Sequence, residues 1–370
     1  MAIYIYLLVY LGAMSLLAKN IIKDPKKQQT FILKSVLLAM FLICVLRGDT
    51  VGFDTIGYKS AYLRSARYDW NDFNYIYFEN GYILFMKIFS KMEASFEVFK
   101  IAVYSVVFIP LYFFLKRFSK DVTFSLLIYI CYAFFTFNLT GIRNSMAMSI
   151  CLLAYLFLEK KTTNGFFISA LLIVLAFFFH KSSIVFVLAY VIVFFPFNKR
   201  TMFVYILVTA FMLFQPDIIF NFVTNTLERK AETSSTLSLG GSFLFFLIIE
   251  IVAFAVIALY NHQPDKLNGN PEEVQSIEQI KRYAHFIYFT LLSFLLVGGA
   301  STMIRASMFF QIFCVVILPE CVSKVSKREQ PIVKFLFIAF LLVFYYLTVL
   351  KAKTYNVVPY HFYWEQISLY

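Results

Sequence analysis

The chain carries little charge: 15% of its 370 residues are Asp, Glu, Lys or Arg, against 61% apolar and 20% aromatic. A soluble domain of this length cannot bury so much apolar surface, so the bilayer must act as solvent. It also lacks a P-loop, a Gly-x-Ser-x-Gly elbow, a His-Glu-x-x-His helix and an Asp-x-Asp pair. Their absence argues against P-loop hydrolysis, serine-hydrolase chemistry, zincin proteolysis and metal-assisted use of a nucleotide sugar. No metal and no cofactor are expected. The five cysteines, Cys44, Cys131, Cys151, Cys314 and Cys321, have no Cys-x-x-Cys spacing and read as packing residues.

Apolar runs of about 17 to 22 residues recur along the chain, each long enough for a hydrocarbon core of roughly 30 Å. They predict an all-α, polytopic membrane protein of about twelve transmembrane helices. The spans fall near 2–18, 29–46, 96–115, 121–138, 144–158, 164–180, 182–197, 201–219, 242–260, 283–300, 304–320 and 331–350. Tight hairpins are expected around 140, 180 and 302. Met1 to Ala18 has no basic start and no small-residue cleavage site, so it reads as a retained helix. No internal repeat and no change of composition divides residues 1–370, which are read as one membrane domain.

Lysine and arginine in short loops mark the cytoplasmic side. One set of loops holds Lys19, Lys23, Lys26 and Lys27, then Lys116, Arg117 and Lys120, then Lys160 and Lys161, then Lys199 and Arg200. It continues with Lys266, Lys281 and Arg282, and with Lys324, Lys327 and Arg328, while the opposite short turns hold only Arg143, Lys181 and Arg305. Both termini and the loops 47–95 and 217–241 are therefore expected outside, and the polar loop 261–282 inside. The net charge of +12 is accounted for by loops facing anionic lipid, so nucleic acid is discounted.

Three arginines and a histidine break the apolar pattern on the outer side. A charge near hydrocarbon costs roughly 2.5 to 3.5 kcal/mol on insertion scales, so such a gathering needs a compensating reason. The first outer loop opens Arg47-Gly-Asp-Thr-Val-Gly-Phe-Asp54-Thr-Ile-Gly-Tyr58, in which arginine can fork onto a phosphate and a carboxylate or tyrosine can hold sugar hydroxyls. An ion pair of Arg47 with Asp49 or Asp54 is the plainer reading. Glu79-Asn-Gly precedes an interfacial segment, Tyr82 to Met92. Arg143 starts a descending helix, where free N–H groups and the helix dipole already favour an anion; snorkelling to lipid headgroups is the alternative. His180-Lys181-Ser-Ser lies in a tight turn, where a neutral imidazole, whose unperturbed pKa is about 6.5, suits general-base work or serves as a structural hydrogen-bonding group. Arg305 follows a small-residue turn as Arg143 does. Tyr360, in the aromatic tail 355–364, packs on sugar or joins the interfacial aromatic belt. Lys34, Lys100, Glu250 and Lys334 also interrupt apolar runs and are read as near-end or packing groups.

Taken in order, Arg47 with Gly-Phe-Asp54-Thr-Ile-Gly-Tyr58, Glu79-Asn-Gly, Ile-Arg143-Asn144-Ser-Met-Ala, Phe-His180-Lys181-Ser-Ser and Arg305 resemble the EpsG family of exopolysaccharide assembly, related in role to Wzy polymerases of O-antigen and capsule. The likeness spans roughly residues 1 to 350. Asn144 departs from it, because glutamine commonly follows this arginine in the family, and residues 220–280 add no family feature. The resemblance implies a multi-pass protein of the bacterial plasma membrane that transfers a polyprenyl-diphosphate-linked glycan to a hydroxyl of an acceptor repeat unit. It also implies a chain-length regulator and a flippase of the same pathway as partners. On that chemistry Arg143 and Arg305 would stabilise the diphosphate leaving group, and His180 would be the base, with Asp54 or Glu79 next. Arg47, Tyr58, Asn144, Lys181 and Tyr360 would hold substrate. A membrane ligase or acyltransferase and a lipid-linked glycan flippase are the competing readings.

Overall fold

In lipid every backbone polar group must be satisfied within its own segment, which leaves helices as the way to thread these apolar runs. A computed structural model describes residues 2–215, 271–295 and 301–365, and among them there is no strand. Residues 216–219 of the span near 201–219, the loop 217–241, the span near 242–260 with Glu250, much of the loop 261–282 and residues 296–300 of the span near 283–300 lie outside the described residues.

The first hairpin joins α1 (Ala2–Ile21) to α2 (Pro25–Leu46), whose start is set by Pro25 and by Asp24 accepting from the Lys26 and Lys27 amides. Two short helices follow in the long loop, α3 (Thr55–Ser65) and α4 (Asn80–Lys91). α4 is a helix over nearly all of the segment Tyr82 to Met92, where the sequence suggests one. α3 was not legible from periodicity, because its buried stripe mixes Thr55, Tyr58, Ala61, Tyr62 and Ser65. Then come α5 (Phe96–Phe118), α6 (Val122–Cys131), α7 (Phe134–Asn138), α8 (Ile142–Leu158) and α9 (Thr163–Phe179). The apolar run 121–138 is broken where Ala133 takes a left-handed φ of 66°.

A 3-10 turn, Lys181–Val187, leads into α10 (Leu188–Phe194), and α11 (Lys199–Phe214) is capped by Asn198. The remaining elements are α12 (Pro271–Leu295), α13 (Ser301–Gln311), α14 (Cys314–Lys324) and α15 (Gln330–Tyr345), the last running on through a π turn, Tyr346–Lys351. Among the described residues five segments are both long and apolar enough to cross a membrane: α1, α2, α5, Arg305–Lys324 and Gln330–Lys351. Shorter apolar helices, Val122–Cys131, Ile142–Leu158, Thr163–Phe179 and Lys181–Phe194, stand at four more of the expected spans. Large apolar side chains face outward along them, Phe167 and Leu171 on α9 and Phe335 and Leu336 on α15 among others, a surface suited to acyl chains rather than water.

The bundle has two unlike ends. At one, ion pairs tie helices together: Glu320 lies 1% exposed between Lys324 (3.5 Å) and Lys120 (3.9 Å), Asp121 pairs with Lys334, and Glu159 takes Arg282 (3.6 Å) and Arg117 (3.7 Å). At the other, the chain's tail straps the first loop. Gly48 N–H donates to His361 O, Gly52 N–H to Asn356 O and Tyr363 N–H to Leu46 O, each at 2.9 Å. Gly52 has φ +96°, and a Cβ there would meet Leu139 O at 2.1 Å, so only glycine lets the loop lie against the α7–α8 turn.

Candidate active site

At the strapped end, Gly81 in the first turn of α4 approaches the end of α9 so closely that a Cβ would sit 2.7 Å from Phe178 Cβ and O. This contact brings Glu79, just before α4, beneath the α9–α10 turn. His180 ends α9 with an extended backbone (φ −158°, ψ 118°), which turns its imidazole back toward α4. His180 Nδ1 lies 3.0 Å from Glu79 Oε1, and the Lys181 amide donates to the same oxygen at 3.3 Å. Arg143, one residue into α8, donates from Nη1 to Glu79 Oε2. Its guanidinium carbon lies 4.2 Å from the centre of the Phe78 ring, and its Nε points at Tyr58 Oη at 3.5 Å. Tyr58 in turn packs edge-on to the fully buried Tyr82.

The electrostatics assign the protons. Burial opposes ionisation of Glu79, but the hydrogen bond from His180 and the Arg143 charge outweigh it and hold the carboxyl down at about 2. An ionised carboxylate can only accept, so Nδ1 of His180 carries the proton. Burial lowers the pKa of His180, helped by the Arg143 and Arg305 charges and only partly offset by Glu79. The imidazole is thus neutral near pH 7, with its lone pair on Nε2. That atom is buried and has no hydrogen-bond partner among the described residues. A cavity of about 610 Å³ opens here, bounded by the 73–80 segment, Arg143, Phe177, Phe178 and the 180–182 turn.

Of the residues expected from the sequence, the fold unites Glu79, Arg143, His180, Lys181 and Tyr58. Arg305, on α13, is half-buried; its carbonyl accepts from Asn144 Nδ2 at 3.4 Å, and its charge is felt at His180 although it does not line the cavity. No carboxylate among the described residues pairs with it. Arg47 lies apart from the cavity, 0% exposed, donating to Tyr104 Oη and to Thr55 Oγ1 at 3.3 Å, with its carbonyl accepting from Lys100 Nζ at 2.9 Å. This differs from either pairing with Asp49 or Asp54: Asp49 pairs with Lys59 instead, and Asp54 precedes α3 without a side-chain cap bond. Tyr360 Oη donates to Ile43 O at 2.9 Å and its ring meets Tyr4 edge-on, a packing role within the strap.

Sequence reasoning passed over Lys87. Its ammonium donates to the Asp69 and Asp72 carbonyls and lies over the Phe73 and Tyr75 rings at 4.9 and 5.3 Å, pinning the loop that walls the cavity. The signal available was a lysine on the same face of α4 as Ile83 and Met86.

The fold and this cluster define a multi-helix membrane protein with a buried carboxylate–imidazole–guanidinium site at one end of its bundle. The family model described as EpsG family matches residues 30–362, and the chain belongs to that family, whose members are polysaccharide polymerases. No curated protein and no solved structure matches the chain.

Proposed function

We propose that the chain is the polymerase of a surface-glycan pathway, working at the outer face of the bacterial plasma membrane on polyprenyl-diphosphate-linked repeat units. The observation that carries this reading is the Glu79–His180 pair, with an unpartnered Nε2 beside a cavity that Arg143 also lines. An acceptor hydroxyl gives its proton to Nε2 as its oxygen bonds to the anomeric carbon of the donor glycan. Glu79 then stabilises the imidazolium, since it already accepts from Nδ1. The bond from the anomeric carbon to the diphosphate breaks, and the lipid diphosphate leaves with the electron pair. Arg305, which no described carboxylate neutralises, and Arg143 stand at the level where that charge develops. The proton and the lipid diphosphate are released before the next cycle. A chain-length regulator and a flippase remain the expected partners.

The test is glycan length in a deletion strain complemented at equal membrane abundance. Wild type restores long chains; His180→Ala and Arg143→Ala leave single repeat units. Arg143→Lys fails largely as well, because one ammonium cannot reach both Glu79 and Tyr58 as the guanidinium does. Long chains in the deletion strain itself, with ester groups missing, would instead indicate an acyltransferase. The chemistry as written uses no metal, so purified protein keeps its activity in EDTA; loss that magnesium or manganese restores would refute this.

A further inference from the structure

At the ion-paired end of the bundle, opposite the active site, α5 and α8 pack side by side and end together, with the Phe118 and Tyr155 rings in contact at 5.5 Å. A cleft of about 590 Å³ lies between them. Its upper wall is apolar, made by Phe113 (49% exposed), Leu153 and Leu156. Its rim carries three cations, Lys116, Arg117 and Lys160, and one carboxylate, Glu159, so it is net cationic. The two layers follow from helix geometry: positions 113 and 117 are separated by one turn, about 6 Å of rise, so each helix changes from apolar to basic over that distance.

Two of the three cations, Lys116 and Lys160, are not consumed by the protein. Lys116 lies over the Tyr112 ring at 5.6 Å and Lys160 over the Phe157 ring at 5.1 Å, contacts that keep both stems along the cleft edge while leaving the ammonium heads open. Neither makes an ion pair among the described residues. Arg117 is 3.7 Å from Glu159, a carboxylate shared with Arg282 at 3.6 Å. Basic residues at helix C-termini commonly just offset the dipole. That account needs neither an apolar cleft nor three cations converging on its mouth.

We propose that this cleft binds an anionic phospholipid, with acyl chain against Phe113, Leu153 and Leu156 and headgroup phosphate among Lys116, Arg117 and Lys160. The site is amphipathic in the same order as the lipid, and basic clefts between membrane helices suit anionic headgroups. It is independent of the catalytic reading. Its role is to fix the α5–α8 pair, whose other ends bear Lys100 and Arg143.

The experiment uses the full-length protein in nanodiscs of phosphatidylcholine alone or with phosphatidylglycerol, followed by detergent extraction and native mass spectrometry. Wild type is expected to retain phosphatidylglycerol and to melt higher when it is present. Lys116→Gln/Arg117→Gln/Lys160→Gln loses retention by about tenfold or more, while Lys26→Gln/Lys27→Gln, exposed cations of the same end, retains it. Leu153→Trp keeps all three cations but fills the apolar wall, and it loses retention too. Both cleft variants melt as wild type does in phosphatidylcholine alone, which separates lost binding from lost folding. Equal retention by the triple variant overturns the proposal, as does equal binding of phosphatidylcholine. Displacement by millimolar inorganic phosphate, or preference for a polyprenyl phosphate over phosphatidylglycerol, overturns the assignment of the occupant.

Discussion

His180 can act as a base only while its imidazole is neutral, and burial among cations keeps it so, with Glu79 as the one opposing influence. The sign of the pH dependence follows. As pH falls through the His180 pKa, Nε2 becomes protonated and can no longer accept the acceptor's proton. Polymerisation by purified protein is expected to fall on the acid side, with a midpoint below 6.5. Glu79→Gln removes the group that raises the pKa, so residual activity should show a midpoint at still lower pH. A midpoint above 6.5, or one that Glu79→Gln leaves in place, would remove His180 from the base's role. Glu79 itself, held at about 2, stays ionised throughout and is the orienting partner rather than the acceptor of that proton.

Helix α4 depends on one position for its placement. Any Cβ at 81 meets Phe178 backbone and Cβ, neither of which is a flexible tip that could swing away. Gly81→Ala must therefore push α4 from α9, and with it Glu79 from His180. Overpacking of this kind costs about 1–3 kcal/mol, and a displacement near 1 Å can cost about 100-fold in rate. The variant is expected to reach the membrane at near-normal abundance but to make mostly single repeat units; full chain length would refute the placement argument. The strap acts in the same way on α2. Its backbone bonds to Leu46, Gly48, Gly52 and Phe53 fix where the first loop leaves the bundle, and Arg47 is folded inward beneath them.

Across the whole molecule, the two ends divide the charge. One end gathers Lys116, Lys120, Lys160 and Lys324, from the loops that the sequence reading assigns to the cytoplasm, and the cavity opens at the other. The described cysteines are all buried and none is in a disulfide, so a single introduced thiol can report sidedness against a low background. In intact cells a membrane-impermeant maleimide should label Asn74→Cys at the cavity wall and leave Lys26→Cys unlabelled until the membrane is opened. The reverse pattern would invert the topology.

By itself the sequence determined the membrane class, where most of the described helices run and the residues worth watching, because a bilayer demands long apolar helices and makes every interruption costly. Glu79, Arg143 and His180 stood out singly for that reason. Which of them meet was decided only in the tertiary structure: the Gly81 approach, the extended backbone at His180 and the start of α8 bring together residues 64 and 101 positions apart. Arg47 shows the converse. Its composition and place in the loop resembled those of Arg143, yet Tyr104, Thr55 and the tail enclose it. Local sequence specifies a charge near a membrane surface, whereas only long-range packing decides whether that charge faces a cavity or the core.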